Sequence, residues 1–496
     1  MNITILRHLL LLAEGCRLGY SAIDMLSDDV LLCVFDAYRQ KLPILGNFEF
    51  LMVGVEHIWP WYDLVHVCRR WRHIVFAFPS YLDLRLKCHS KTDVEAAIDI
   101  WPALPLSISA TFNSENTDED DIFGALEHRD RIAAIHFWGF NHSQLKKCVA
   151  LMEKPFPALK TLDLGADEKT RFVHTGSVAL LGGSAPLLQW IHLYGTQFPS
   201  LPKLLSSTSD LVRLDLEDIP MTDEGHISPN AMATCLSVLT KLQSLSIAAQ
   251  TLSPYPTDQR LPPSTYTVLP ALVKLSLKGP HGYLEDLVGR VEAPLLKSGH
   301  LHFYDEPIFD TPPRHGVPQF IHRTKMFPSL GKVQVHFSRE CIFASFRSSI
   351  GPAQFYLSFR CSGLPAGVAI MQRICAQWPP LFSHVEWLKL QVDFFPEEKR
   401  CREAITPWLG FLRAFTAVQT LHLRGEATVS HVARILDELE GERAPEVLPA
   451  LRAIELHCSE SGKSESLRSL EPFIVAREES EHPVTVEIPV LNTQRL

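Results

Sequence analysis

The chain of 496 residues carries two rhythms of apolar and polar positions. From residue 87 onward one short alternation keeps returning, apolar-x-x-apolar-x-apolar. It reads LKTLDL at 159–164, LQWIHL at 188–193, LVRLDL at 211–216 and LQSLSI at 242–247. It continues as LVKLSL at 272–277, LGKVQV at 330–335, VEWLKL at 385–390, VQTLHL at 418–423 and LRAIEL at 451–456. IAAIHF (132–137), SGHLHF (298–303) and AQFYLSF (353–359) are weaker copies. Alternation of this kind predicts a short strand with one buried face. The middle apolar positions are Ile135, Leu162, Ile191, Leu214, Leu245, Leu275, Leu301, Val333, Leu357, Leu388, Leu421 and Ile454, with gaps of 23 to 33 residues. Helical spacing falls between them, most clearly at 176–186, 234–242 and 430–441. A last helix through Leu467, Leu470, Phe473 and Ile474 precedes a strand VTVEI at 484–488.

The first rhythm is helical. In MLSDDVLLCVFDAY (25–38), Val30, Leu31, Val34, Phe35 and Tyr38 form one stripe. Ser27 is placed to cap that helix, and Asp28 and Asp29 suit its positive end. A second stripe runs through Leu64, Val67, Cys68, Trp71, Ile74 and Val75, and reads as one helix starting at Asp63 and stopped by Pro79. Its other face carries His66, Arg69, Arg70 and His73. So few short helices bury little by themselves and need a partner surface.

Repeated units of this size cannot each bury an apolar face, so they stack into a continuous core. The spacing is similar to that of leucine-rich repeats at the lower end of the gaps and exceeds it at the upper end. That resemblance implies an α/β solenoid, a horseshoe with a parallel sheet on its concave face. Polar strand residues such as Lys160, Thr161, Asp163, Arg213, Asp215, Lys274, Ser276, Lys389 and His422 would divide between that face and the strand edges. Regular members carry Asn or Cys three positions past the last strand leucine. Asp167, Thr196, Ile219 and Gln250 stand there instead, so the repeat is irregular.

LSDDVLLCVFDAY followed by DLVHVCRRWRHIVFAFPSYLDLRL resembles an F-box, over Leu26–Leu86. The Val-Cys-Arg-Arg-Trp-Arg run is its most specific part. Ser27 replaces the usual proline, and about 20 residues (41–61) are inserted between the helices, as in the expanded F-box families of basidiomycete fungi. The expected organisation is an N-terminal extension (1–24), a small all-helical F-box (25–86) and an irregular repeat domain with a C-terminal cap (87–496). The resemblance implies docking on a Skp-type adaptor, through it on a cullin, and capture of a protein substrate for ubiquitination by partner subunits. The residues expected to dock are Leu26, Val30, Leu31, Val34, Phe35, Leu64, Val67, Cys68 and Trp71, with some packed internally and Trp71 foremost among those. The substrate-binding residues are not legible.

Composition narrows the alternatives. A net charge of −9 opposes general nucleic-acid binding, which rests on Lys and Arg against phosphate. The 11 cysteines are scattered without a CxxC pair, which fits reduced thiols and a cytoplasmic or nuclear setting. The N-terminal apolar run Leu9–Ala13 is too short and interrupted for a signal peptide, and no run reaches membrane-spanning length. No GxGxxG or HExxH is present. GKS at 462–464 lacks the glycine of a phosphate loop, and GGSAP at 182–186 lacks the last glycine of a nucleophile elbow. His192, His302, His336 and His422 lie at or beside strands and are expected to be solvated or core-edge residues. The reading is therefore a non-enzymatic adaptor with no cofactor and no metal. Three alternatives remain: a non-degradative F-box scaffold, a free-standing repeat module with a disabled F-box, and a secreted binding protein with glycosylation sequons at Asn2 and Asn141.

Overall fold

The computed structural model describes residues 26–41, 60–78, 85–88, 94–100, 104–112, 119–167, 173–174, 179–220, 227–250, 266–306, 316–324, 326, 330–377, 379–394, 398–437, 446–459 and 462–488. The N-terminal extension, most of the 41–61 insertion, the proline-rich stretch 253–264 and most of that at 305–319 lie outside them. The fold is mixed α/β, with a large, mostly parallel sheet that does not close into a barrel. Two compact units divide the chain: Met1–Ala110 with Asn116–Ala134, and Thr111–Glu115 with Ile135–Leu496. The motif boundary expected at residue 86 does not coincide with this division.

The first unit begins with three helices, α1 (Asp28–Lys41), α2 (Pro60–Val67) and α3 (Arg69–Ala77). Ser27 does cap α1, its hydroxyl accepting from the Val30 amide at 3.4 Å. The stripe expected to form one helix from Asp63 is two. Helix α2 starts at Pro60, where a proline at the first position costs no hydrogen bond. Cys68 then turns extended (φ −158°) and its Sγ accepts from the Trp71 amide, capping α3. Arg72 donates to the Val65 carbonyl, one of the acceptors left open at the end of α2. Strand β1 (Leu86–Cys88) pairs in parallel with β2 (Leu106–Thr111). Helices α4 (Val94–Ile100) and α5 (Glu119–Ala125) belong to the same unit, α5 holding Glu119, Asp120 and Asp121 in its first turn.

Strand β3 (Ile132–Phe140) and α6 (His142–Leu151) lead into the second unit. Asn141 caps α6 in a reciprocal box with Gln144. Nine strands follow: β4 (Thr161–Ala166), β5 (Trp190–Tyr194), β6 (Arg213–Pro220), β7 (Ser244–Gln250), β8 (Lys274–Gly279), β9 (Ser298–Phe303), β10 (Leu330–Phe337), β11 (Cys341–Ser348) and β12 (Gln354–Arg360). The last four are β13 (Trp387–Val392), β14 (Thr420–Arg424), β15 (Ala453–His457) and β16 (Thr485–Glu487). Helices α7 (Leu201–Leu205), α8 (Pro229–Leu236), α9 (His281–Gly289) and α10 (Gly316–Thr324) alternate with them. So do α11 (Leu364–Gln377), α12 (Pro379–Phe382), α13 (Glu398–Leu412), α14 (Glu426–Asp437) and α15 (Lys463–Glu479). The stretch 176–186, expected to be helical, supplies one short 3₁₀ turn at Leu180–Gly183.

From β4 to β9 the strands are neighbours in chain order and parallel. A one-by-one stack then stops. Beside β9 lies β12, then β11, then β10, then β13. Strand β11 is antiparallel to both neighbours. The remaining pairings, through β16, are parallel. The repeat copies at 298–303, 330–335, 353–359 and 385–390 are therefore not successive rungs, as their spacing suggests. A three-stranded meander has entered in reverse order.

Two rows of apolar positions run across the strands from β4 to β15. One passes Leu162, Ile191, Leu214, Leu245, Leu275 and Gly299, then Phe355, Phe346, Val333, Leu388, Leu421 and Ile454. Leu301, expected in this row, sits in the next one opposite Leu277. Gly299 takes its place because the Phe355 ring fills the space: a Cβ there would stand 2.3 Å from that ring. Helices cover this face. Phe337 of β10 meets Trp408 of α13 with centroids 5.1 Å apart, and Phe346 of β11 meets Phe382 of α12 at 5.9 Å. Strand β16 pairs with β15, and buried Arg477 of α15 donates to the Leu451 carbonyl ahead of β15.

Candidate protein-interaction faces

The nine residues expected to dock separate clearly by burial. Leu31, Phe35, Leu64 and Trp71 are core. The Phe35 and Trp71 rings lie 4.7 Å apart and hold α1 to α3. Leu26 and Val34 are half-buried, and Cys68 is exposed while its sulfur caps α3. Val30 and Val67 face solvent, 45% and 59% exposed. The arginine cluster splits as well: Arg70 reaches Asp28 at 2.7 Å and the Leu26 carbonyl, clamping the start of α1, and Arg69 is exposed.

The second unit has a polar sheet face opposite the apolar rows. Its near end centres on Asp163 of β4. That carboxylate accepts from His192 Nδ1 at 2.9 Å, Trp138 Nε1 at 3.1 Å and His136 Nδ1 at 3.3 Å. Burial would raise its pKa, but these hydrogen bonds and the charge of His192 outweigh burial and hold it below the usual carboxylate range. Asp215 of β6 accepts from Trp190 Nε1 at 3.0 Å and from Arg213 Nε at 2.5 Å, with the Arg213 guanidinium 5.3 Å over the Trp190 ring. Gly165 leaves room for Trp138, whose ring a Cβ would meet at 2.4 Å. Asp163, Asp215 and His192 are buried in this polar face rather than exposed on it.

The far end is built from β11, β10, β13 and β14. Register places Lys332 opposite both Arg347 and Trp387, and Gln391 opposite Arg424. The Lys332 ammonium lies 5.8 Å over the Trp387 ring, and Phe343 is 45% exposed nearby on β11. His422 donates through Nδ1 to Glu455 at 2.8 Å, and its buried Nε2 has no partner. Glu455 would favour a charged imidazole. Burial and the positive His457, Lys389 and Lys332 prevail and push it down to about 4. Burial lowers Lys389 too, helped by Arg424 and Arg347.

His422, Glu455 and His457 bring three possible ligand atoms within 4.8 Å of one another, a grouping across β14 and β15 that the sequence did not reveal. The adjacent Lys332 and Lys389 repel a divalent cation, so the electrostatics of this end favour anions. The nine described cysteines are free thiols. Among the described residues, no helix is long and apolar enough to cross a membrane.

Compared with known proteins, the sequence matches no family model and no curated protein.

Proposed function

We propose that the chain is the substrate-recognition subunit of a Skp-cullin-F-box type ubiquitin ligase. In this reading α1–α3 form an F-box that docks on the Skp-type adaptor, and the second unit is an irregular leucine-rich-repeat body that holds the protein to be modified. The chain carries out no chemistry itself; it raises the concentration of a substrate lysine near the conjugating enzyme supplied by its partners. The compartment implied is cytoplasm or nucleus.

One observation supports the reading beyond the motif. Three short helices close around Phe35 and Trp71, yet leave Val30 and Val67 in solvent. Apolar side chains held outward on a small helical group suit a partner that covers them. The test is binding of the full-length protein to a Skp-type adaptor, with Val30→Asp and Val67→Asp as variants. Both sites are exposed, so the changes spare the core, whereas a charge at Leu31 would unfold it. A carboxylate stranded in an apolar interface costs roughly 2–4 kcal/mol, so affinity falls about 30- to 1,000-fold. Unchanged binding by both variants removes α1–α3 as the docking surface.

A further inference from the structure

The polar face of β11, β10, β13 and β14 carries four cations without a counter-charge. Arg347, Lys332, Lys389 and Arg424 all point away from the apolar rows, as the alternation of buried neighbours shows: Phe346, Val333, Leu388 and Leu423 face the core. Among the described residues none of the four makes an ion pair. The carboxylates on this face are engaged elsewhere. Asp393 accepts from His336 Nε2 and from Gln391 at 2.8 Å, and Glu455 accepts from His422. Arg424 is close enough to favour the charged Asp393 but does not bond to it. Arg347 and Lys332 face one another across neighbouring strands, with Lys389 and Arg424 following diagonally, and like charges so placed are unfavourable unless something supplies the missing sign.

We propose that this face binds an extended, carboxylate-rich segment of a partner protein. The shape of the cluster decides between an extended segment and a point anion. From β11 to β14 there are three strand intervals of ~4.8 Å, and the register sets Arg424 four residues further along the strands than Arg347, so the cations span about 20 Å on a diagonal. A lone phosphate cannot reach across that width. An extended chain advancing ~3.3 Å per residue covers it in about six residues. Trp387 and exposed Phe343 offer apolar surface for side chains interspersed among the acids. The net charge of −9 argues against a polyanionic nucleic acid as the natural occupant. The proposal rests on this face alone and not on the adaptor reading of α1–α3.

The experiment is fluorescence anisotropy with the full-length protein and labelled oligoglutamate peptides of increasing length, at low and at physiological salt. Affinity is expected to climb with each residue up to about six and then to level off. Arg347→Glu with Arg424→Glu, both at exposed positions, should weaken binding at least tenfold, and Lys146→Glu on α6 should leave it unchanged. Equal losses in the Lys146→Glu control would reduce the effect to bulk charge and overturn the proposal. So would absence of saturable binding, tighter binding of a peptide bearing one phosphoserine in place of the acidic run, or tighter binding of a DNA duplex.

Discussion

The two ends of one sheet face use charge in opposite ways. Near β4–β6, each buried carboxylate has its donors in place: Asp163 has three, and Asp215 has Trp190 and Arg213. Near β10–β14, Arg347, Lys332, Lys389 and Arg424 lie on a diagonal across the strands and form no ion pair among the described residues, Asp393 standing near Arg424 without bonding to it. The first arrangement is complete within the chain. Its two carboxylates are satisfied, and low polarity around them strengthens each bond. The second is incomplete, and its like charges repel. A closed network contributes stability, whereas an open one costs a little stability and is available to a ligand. The same backbone, strand spacing and alternation thus support a structural cluster at one end and a candidate binding surface at the other.

That comparison breaks most visibly at Asp163. Replacing it by alanine leaves the Trp138 indole N–H and two imidazoles without their shared acceptor in a buried place. The expected loss is about 3 kcal/mol, read by urea denaturation of the full-length protein. A loss below about 1 kcal/mol would mean that the network is decorative and that both ends are equally open.

Acid sharpens the contrast next. The folded Asp163 has a lowered pKa, so the unfolded chain takes up this proton first as pH falls. Its stabilising contribution is complete above the ordinary carboxylate pKa and is lost as pH drops from about 4 through the lowered folded value, with a slope of at most about 1.4 kcal/mol per pH unit. Burial would raise Asp393 at the far end, but hydrogen bonds from Gln391 and His336 and the charges of His336 and Arg424 together lower it; its side chain is nearly half exposed. Stability measured against pH should therefore flatten in Asp163→Asn and remain close to wild type in Asp393→Asn. The reverse result would place the closed network at the wrong end.

The smallest effect is expected from the cations. Arg347→Gln with Arg424→Gln should leave stability within about 0.5 kcal/mol of wild type, with any change toward greater stability, because solvent-facing like charges are removed. A clear destabilisation in thermal unfolding would show that these arginines have structural work within the chain.

Much of the fold was legible from residue order. The apolar-x-x-apolar-x-apolar stretches became strands, and their alternating residues became the buried rows, because a strand exposes successive side chains to opposite faces. The Ser27 cap was legible because a hydroxyl ahead of Asp28 and Asp29 can satisfy only local amides. Other features were hidden. Strand β11 carries its own alternation in Ile342, Ala344 and Phe346, with turn residues Ser338 and Gly351 on either side. A search for one repeat template passes over it, since its signal is period two without the template's spacing. The break at Cys68 was hidden because the apolar stripe runs straight through it, while the turn depends on a thiol that bonds to Trp71.

The candidate surfaces divide along the same line. Sequence alone selected Val30 and Val67, because helical periodicity places them on an apolar stripe, but it could not separate them from Leu31 and Phe35 beside them. The cation cluster was invisible in the sequence: Lys332, Arg347, Lys389 and Arg424 are spread over 93 positions and meet only through the reversed strand order β12-β11-β10-β13. Sequence determined most of the strands and helices and the apolar side of each, since those choices follow from local periodicity and capping. Tertiary structure decided which strands are neighbours. Pairing between distant segments depends on how their apolar faces fit, as the Phe355 ring fits over Gly299, and that fit has no local signature.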